Sequence, residues 1–188
     1  LTITANSDIF PQMAAKMLME EEELTHSWKE IAKRIVEADP SNLAIIGIRC
    51  RGDILAERLA KEIKKISGLD VPLGFLDINL YRDDFTSVGP EPLVRETKID
   101  FDITGKNVIL VDDVLFTGRT IRAALDALID FGRPASIRLA VLINRDGREL
   151  PIQPDYSVRK MAVGKGEIVE VKLKELDGKE GIMIVKTR

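Results

Sequence analysis

The 188 residues are 45% hydrophobic and 31% charged, and 28 Lys and Arg stand against 31 Asp and Glu for a formal net charge of -3. That length fits one compact domain with a real core, no apolar run is long enough to cross a bilayer, and the slightly acidic balance gives nucleic acid no general attraction. A lone cysteine, Cys50, and a start (residues 1–8) with neither basic leader nor apolar h-region point to a reducing, cytoplasmic location.

Residues 1–22 lack a clear period and carry the run Glu20 to Glu23, so they are expected to form an N-terminal arm of uncertain order ahead of a single domain over 23–188. From Leu24, the apolar positions Trp28, Ile31, Ala32, Ile35 and Val36 recur at helical spacing until Asp39-Pro40-Ser41 ends them. Residues 43–48 are a continuous apolar run of strand length, which implies a strand covered on both faces. Past Arg49-Cys50-Arg51-Gly52, helical spacing returns at Ile54, Leu55, Leu59, Ile63 and Ile66, and Gly68 is placed to cap that helix.

Residues 71–81 are rich in strand formers. The polar stretch 82–98, with Gly89-Pro90 and Pro92, is too long for an ordinary connection and reads as a lid or a disordered loop. A second buried strand is expected over 107–114, followed by a helix opened by Thr117-Gly118-Arg119-Thr120, with Ile121, Ala124, Leu125 and Leu128 on one face and a stop near Phe131-Gly132. Residues 137–143 supply a third buried strand, and the tail offers strands at 168–171 and 182–185. Strands alternating with helices predict an α/β fold around a largely parallel sheet.

Chemistry concentrates at 108–120. Asp112 and Asp113 end an otherwise apolar strand, where two unpaired charges would be costly to bury. The carboxyl ends of parallel strands are where open α/β sheets bind ligands. The segment that follows offers free backbone N–H groups, two hydroxyls, a Gly and the positive end of a helix dipole, a combination suited to phosphate. Carboxylates accept from sugar hydroxyls, so the two halves together fit a sugar phosphate. A strand and a capped helix would account for Thr117 to Thr120 alone, but not for the whole pattern, and no Walker loop is present.

Residues 108–120, Val-Ile-Leu-Val-Asp-Asp-Val-Leu-Phe-Thr-Gly-Arg-Thr, resemble the signature by which type I phosphoribosyltransferases bind 5-phosphoribosyl-1-pyrophosphate (PRPP). In detail they are most similar to PyrR, the pyrimidine operon attenuator and uracil phosphoribosyltransferase family. Residues 76–84, 123–134 and 148–152 agree with it, so the similarity covers nearly the whole chain. The resemblance implies a type I fold: a mainly parallel central sheet flanked by helices, with a small hood and a flexible loop.

It also implies Mg²⁺-dependent transfer of phosphoribose from PRPP to uracil, giving UMP and pyrophosphate, with the metal held mainly through PRPP and no direct protein ligand. In that scheme Asp112 and Asp113 hold the ribose hydroxyls, and Leu115, Phe116, Thr117, Gly118, Arg119 and Thr120 surround the 5′-phosphate. Arg49, Cys50, Arg51 and Gly52 form the pyrophosphate loop, with Arg51 counted among the catalytic residues because a guanidinium is a planar fork of donors. Arg82 would reach pyrophosphate from the flexible loop, with Arg95 and Lys98 as weaker candidates. Related purine enzymes carry an Asp at the position of Phe116, so its absence favours a pyrimidine.

Family membership further implies sensing of the uridine nucleotides UMP and UTP and binding to pyr leader mRNA, for which Lys33, Arg34, Arg148 and Arg159 are the basic candidates. The sequence departs from the family at Cys50, Gly147 and Gln153, where Thr, His and a basic residue are common. Three readings stay open: an enzyme that also regulates through RNA, a phosphoribosyltransferase of the same fold without RNA binding or with another base, and a sensor that keeps only the pocket. Cys50 has no evident partner for covalent catalysis, since His26 is the only histidine. A homodimer or homotetramer is expected from the family.

Overall fold

The computed structural model describes residues 15–81 and 96–186. Five strands, β2 (Leu43–Ile48), β3 (Leu73–Leu76), β4 (Asn107–Leu115), β5 (Ser136–Arg145) and β6 (Tyr156–Met161), form an all-parallel sheet in the order β3-β2-β4-β5-β6. A second, antiparallel sheet joins β1 (Lys16–Met19), β8 (Gly181–Lys186) and β7 (Glu167–Lys172) in the order β1-β8-β7. Helices α1 (Glu21–Ala38) and α2 (Arg51–Ser67) cover one face of the parallel sheet, and α3 (Arg119–Leu128) covers the other.

Strand alternation divides the core between these faces. Leu43, Ile45, Ile109 and Val111 pack toward α1 and α2, while Ala44, Ile46, Val108 and Leu110 pack toward α3. Each large apolar side chain fully removed from water contributes about 1.5–3 kcal/mol before ordering costs are counted. That is why β2 reads as unbroken apolar sequence: all six of its residues are buried. Met19, Val171, Leu173 and Ile182 join the α1/α2 side, so the antiparallel sheet shares that core.

The expected helical faces are largely buried, Val36 of α1 and Ile54 of α2 only partly so. Ile66, expected on the apolar stripe of α2, is 46% exposed in its last turn, and on α3 Ala123 and Ala127 are buried while Leu125 is only partly so. Gly68 takes the left-handed conformation as the α2 C-cap. Of the segment expected as an N-terminal arm, residues 1–14 lie outside the described residues. Its last part forms β1 and the start of α1. Strand β6 and the short helix α4 (Lys174–Asp177) have no counterpart among the sequence expectations.

Most of the 82–98 stretch lies outside the described residues, but both ends of it are anchored. Phe75 and Lys98 exchange backbone hydrogen bonds of 2.8 and 2.7 Å, the Asp77 N–H donates to Thr97 Oγ1 at 3.0 Å, and the Tyr81 hydroxyl donates to Asp130. Among the described residues, no helix is long and apolar enough to cross a membrane.

Candidate functional site

Strands β2 and β4 are adjacent and parallel, so the loops after them open on the same edge of the sheet. The loop after β2, residues 49–52, lies directly on the backbone of β4. A Cβ on Gly52 would sit 2.3 Å from the Val111 carbonyl oxygen, and one on Gly47 would sit 2.4 Å from the Gly52 carbonyl oxygen. Both positions demand glycine because backbone meets backbone there. This contact sets Gly52 against Val111 and Asp112 and brings the Arg51 charge near Asp113; the peptide bond between Arg49 and Cys50 is cis.

At the end of β4 the two carboxylates are fixed by their own backbone. The Asp113 N–H donates to Asp112 Oδ1 at 2.9 Å, and the Val114 N–H donates to Asp113 Oδ1 at 2.8 Å. Asp112 is only 7% exposed. Burial pushes the Asp113 carboxyl above its ordinary range, and the Val114 N–H and the nearby Arg51 charge offset this only in part.

Beyond Leu115 the chain turns into α3 around a cavity of about 330 Å³ lined by residues 114–121 and Glu149. Thr117 Oγ1 accepts the Arg119 N–H at 3.3 Å, and Gly118, with φ +96°, is the N-cap of α3. The loop after β5 closes over this turn: the Glu149 and Leu150 N–H groups donate to the Thr117 carbonyl at 2.9 and 3.1 Å. Glu149 also pairs with Arg119 Nε at 2.7 Å. A hollow rimmed by the first N–H groups of a helix, two threonines and an arginine is shaped for a phosphate group.

Phe116 presents its ring outward, 39% exposed, under the Arg145 guanidinium at 3.9 Å from the ring centroid. Arg148 donates to the Phe116 carbonyl and to Asn144 Oδ1. Gly147, where the family commonly has His, adopts φ +110° and abuts the ring so closely that a Cβ would lie 2.4 Å from Phe116 Cε2.

The structure thus brings together Asp112, Asp113, the 115–120 turn and the 49–52 loop. Arg49 stacks on Phe75 at 5.2 Å and pairs with Asp53 at 3.4 Å, and Cys50 is exposed. Arg51 donates from Nε to the Val171 carbonyl at 2.8 Å and from Nη2 to Asp177 at 3.3 Å. Arg82 and Arg95 lie outside the described residues, and Lys98 sits in the loop stem with its Nζ 3.9 Å from Asp100.

The RNA candidates fall in two places. Lys33 and Arg34 are on α1, where Arg34 lies over Tyr156 of β6 at 5.3 Å, and Arg159 on β6 donates to the Leu18 carbonyl and pairs with Glu23, both at 2.8 Å. Arg148 is in the loop over the 115–120 turn. Glu149, Arg145, Val171 and Asp177 were not singled out by the sequence. Only Glu149 gave any signal, as part of the 148–152 segment that resembles the family.

A larger cavity of about 410 Å³ lies between α1, α2 and α4, against Leu24 and Trp28. Its rim of Lys, Arg and Glu is largely self-paired, Arg58 with Glu175 and Lys65 with Glu62 among them. It has no strand-end carboxylate pair, and the helix starts on its rim carry the acidic side chains of Glu21 and Glu175, which suit an anion poorly.

Residues 15–175 match the model of the phosphoribosyl transferase domain. The chain is 52% identical over 163 residues to the "Bifunctional protein PyrR" of Deinococcus radiodurans, covering 86% of this chain and 89% of that one. It is 51% identical over 172 residues to the protein of the same name from Elusimicrobium minutum, covering 90% and 96%. The Thermus thermophilus protein of that name is 52% identical over 167 residues, covering 88% and 92%.

Among solved structures, a hypoxanthine phosphoribosyl transferase of Trypanosoma cruzi superposes with TM-score 0.70 at 21% identity over 95% of this chain and 94% of that one. A hypoxanthine-guanine phosphoribosyltransferase of Bacillus anthracis gives 0.68 at 21% over 94% and 100%. These two matches speak for the fold. With a phosphoribosyl transferase domain over most of its length and relatives sharing half of its residues, the chain belongs to the PyrR family of type I phosphoribosyltransferases.

Proposed function

We propose that the protein transfers the phosphoribosyl group of PRPP to uracil, releasing UMP and pyrophosphate, and that it also regulates pyrimidine genes by binding pyr leader mRNA in response to UMP and UTP. The observation that carries the enzymatic part is the juxtaposition of the buried Asp112 and half-buried Asp113 with the hollow of residues 114–121. The spacing suits one ligand with ribose hydroxyls at one end and a 5′-phosphate at the other.

In this reading, Asp112 and Asp113 accept hydrogen bonds from the ribose hydroxyls. The N–H groups and hydroxyls of 117–120 hold the 5′-phosphate, and the 49–52 loop with Arg51 meets the pyrophosphate. Breaking the bond from C1 to pyrophosphate builds positive charge on the sugar and negative charge on the leaving group. The carboxylates face the first and the Arg51 guanidinium the second. Closure of the 82–98 segment, bringing Arg82, would exclude water. Phe116 offers no side-chain base, which fits a pyrimidine acceptor better than a purine.

Among the described residues no three acidic, His or Cys side chains could hold a metal ion together. A diphosphate beside two strand-end carboxylates does fit Mg²⁺, which keeps several waters and would be held mainly through the PRPP oxygens, the carboxylates nearby favouring its charge. Bound there, Mg²⁺ would supply charge stabilisation to the departing pyrophosphate.

The regulatory half draws on relatives named as bifunctional and on Arg34 and Arg159, which lie where α1 meets β6, with Lys33 beside Arg34 on α1. A second reading, the same enzyme without RNA binding, is favoured by the intrachain contacts that Arg34, Arg148 and Arg159 already make. A cytoplasmic homodimer or homotetramer completes the proposal, in keeping with the exposed free Cys50.

Incubation with PRPP, Mg²⁺ and, separately, uracil, hypoxanthine, guanine or orotate tests the reaction. UMP from uracil alone is expected, and turnover of a purine but not uracil overturns the assignment. A gel shift with the pyr leader RNA across a salt series should show binding that UMP strengthens and salt weakens. No shift at low salt selects the second reading.

A further inference from the structure

We propose that Asp177, at the end of α4, is a positioning residue for Arg51, holding its guanidinium beside the carboxylate pair in readiness for the leaving pyrophosphate. The inference rests on the reading of Arg51 as the pyrophosphate-facing residue, and it adds a second part of the molecule, the antiparallel sheet, to the machinery of the site.

Arg51 is the first residue of α2, and its side chain bridges two elements. On one edge its Nε donates to the Val171 carbonyl of β7 at 2.8 Å and its Nη2 donates to Asp177 Oδ1 at 3.3 Å. On the other side lies Asp113, whose ionisation the Arg51 charge favours. A guanidinium carries five N–H donors, so the two spent on Val171 and Asp177 leave donors for a diphosphate.

The anchor is itself anchored. Asp177 Oδ2 accepts the Leu173 N–H at 2.8 Å, and Lys172 Nζ stands 3.6 Å from Asp177 Oδ1. The carboxylate therefore has one orientation, and the side chain is well covered at 15% exposure against 32% for Arg51. A free arginine would have to give up considerable rotamer entropy on meeting its ligand, and an arginine already fixed along one edge gives up less. Removing Asp177 would leave the neutral Val171 carbonyl as the hydrogen-bond partner along that edge of Arg51.

The test is a double-mutant cycle read by product inhibition with pyrophosphate and by kcat/KM for PRPP. Asp177→Asn keeps an acceptor for the Leu173 N–H and removes the charge that faces Arg51. It should weaken pyrophosphate inhibition and lower kcat/KM for PRPP on the order of tenfold each, with KM for uracil unchanged. In an Arg51→Ala background the same substitution should have no further effect.

Glu175→Gln is the comparison, since Glu175 sits on the same helix but pairs with Arg58 and should leave pyrophosphate inhibition alone. If Asp177→Asn does not fold, Asp177→Ser takes its place in the cycle, with melting temperature checked alongside. Undiminished inhibition in the Asp177 variant while Arg51→Ala loses it, full additivity in the double variant, or an equal loss in Glu175→Gln each overturns the proposal. An Arg51→Ala protein with unaltered transfer and inhibition overturns the reading of Arg51 itself, a different and recognisable result.

Discussion

Asp113 pays for its place at the strand end: burial raises its carboxyl above the ordinary range, and the Val114 N–H, the Arg51 charge and smaller hydrogen-bond contributions do not fully offset it. The native state therefore holds that proton more tightly than the unfolded chain. Its ionisation weakens folding as pH climbs from the ordinary carboxylate range to the raised value, and the full penalty is present above that. Asp113→Asn removes this slope. The variant is expected to lose more than about tenfold in kcat/KM for PRPP, while matching or exceeding the parent's melting temperature at neutral pH. Its advantage should shrink as pH is lowered toward 4. Unchanged turnover would refute the ribose-binding role. At Gly147 the expectation is the reverse, a purely structural cost. Its φ of +110° and the Phe116 ring against it leave no room for a side chain, so Gly147→Ala should cost about 1–3 kcal/mol in urea unfolding.

At the level of elements, what was legible in the sequence tracks burial on both faces. β2, β4 and β5 announce themselves because helices cover them on each side, and α1 and α2 because each buries a single stripe. β6 was not read because, as an edge strand carrying Arg159 and Lys160, it has little apolar signal. β1 was missed because its partner, β8, lies at the far end of the chain. α4 is a single turn. The contact between α1 and α2 includes one specific tie, the Trp28 indole N–H donating to the Leu55 carbonyl at 3.0 Å. Trp28→Phe keeps most of the apolar bulk and loses that bond, so a loss of about 1 kcal/mol is expected by denaturant unfolding. No change would mean that packing alone holds α1 in place.

Across the whole molecule, the antiparallel sheet is fastened to the parallel one by charge as well as by shared core. Arg58 on α2 pairs with Glu175 of α4 at 2.6 Å and with Glu180, whose side chain is only 3% exposed. The hydrogen bond that Arg58 donates to Glu180, supported by the one to Glu175, holds the guanidinium above its ordinary pKa against the opposing effect of burial. Arg58→Ala strands a buried carboxylate and should cost about 3 kcal/mol. Hydrogen exchange should quicken in β7 and β8 before β2 and β4; uniform loss of protection would mean the two sheets unfold only as one unit. The sequence by itself determined the parallel α/β architecture and the carboxylates followed by a phosphate turn. Both are written in local periods and contiguous residues, where side-chain chemistry and backbone geometry act over a few positions. Only the tertiary structure decided which distant groups serve that site. Arg51 meets Asp177 across 126 positions, and the 49–52 loop reaches the carboxylates only because two glycines let backbone lie on backbone. Such pairings are set by how helices and sheets stack, which no local pattern encodes.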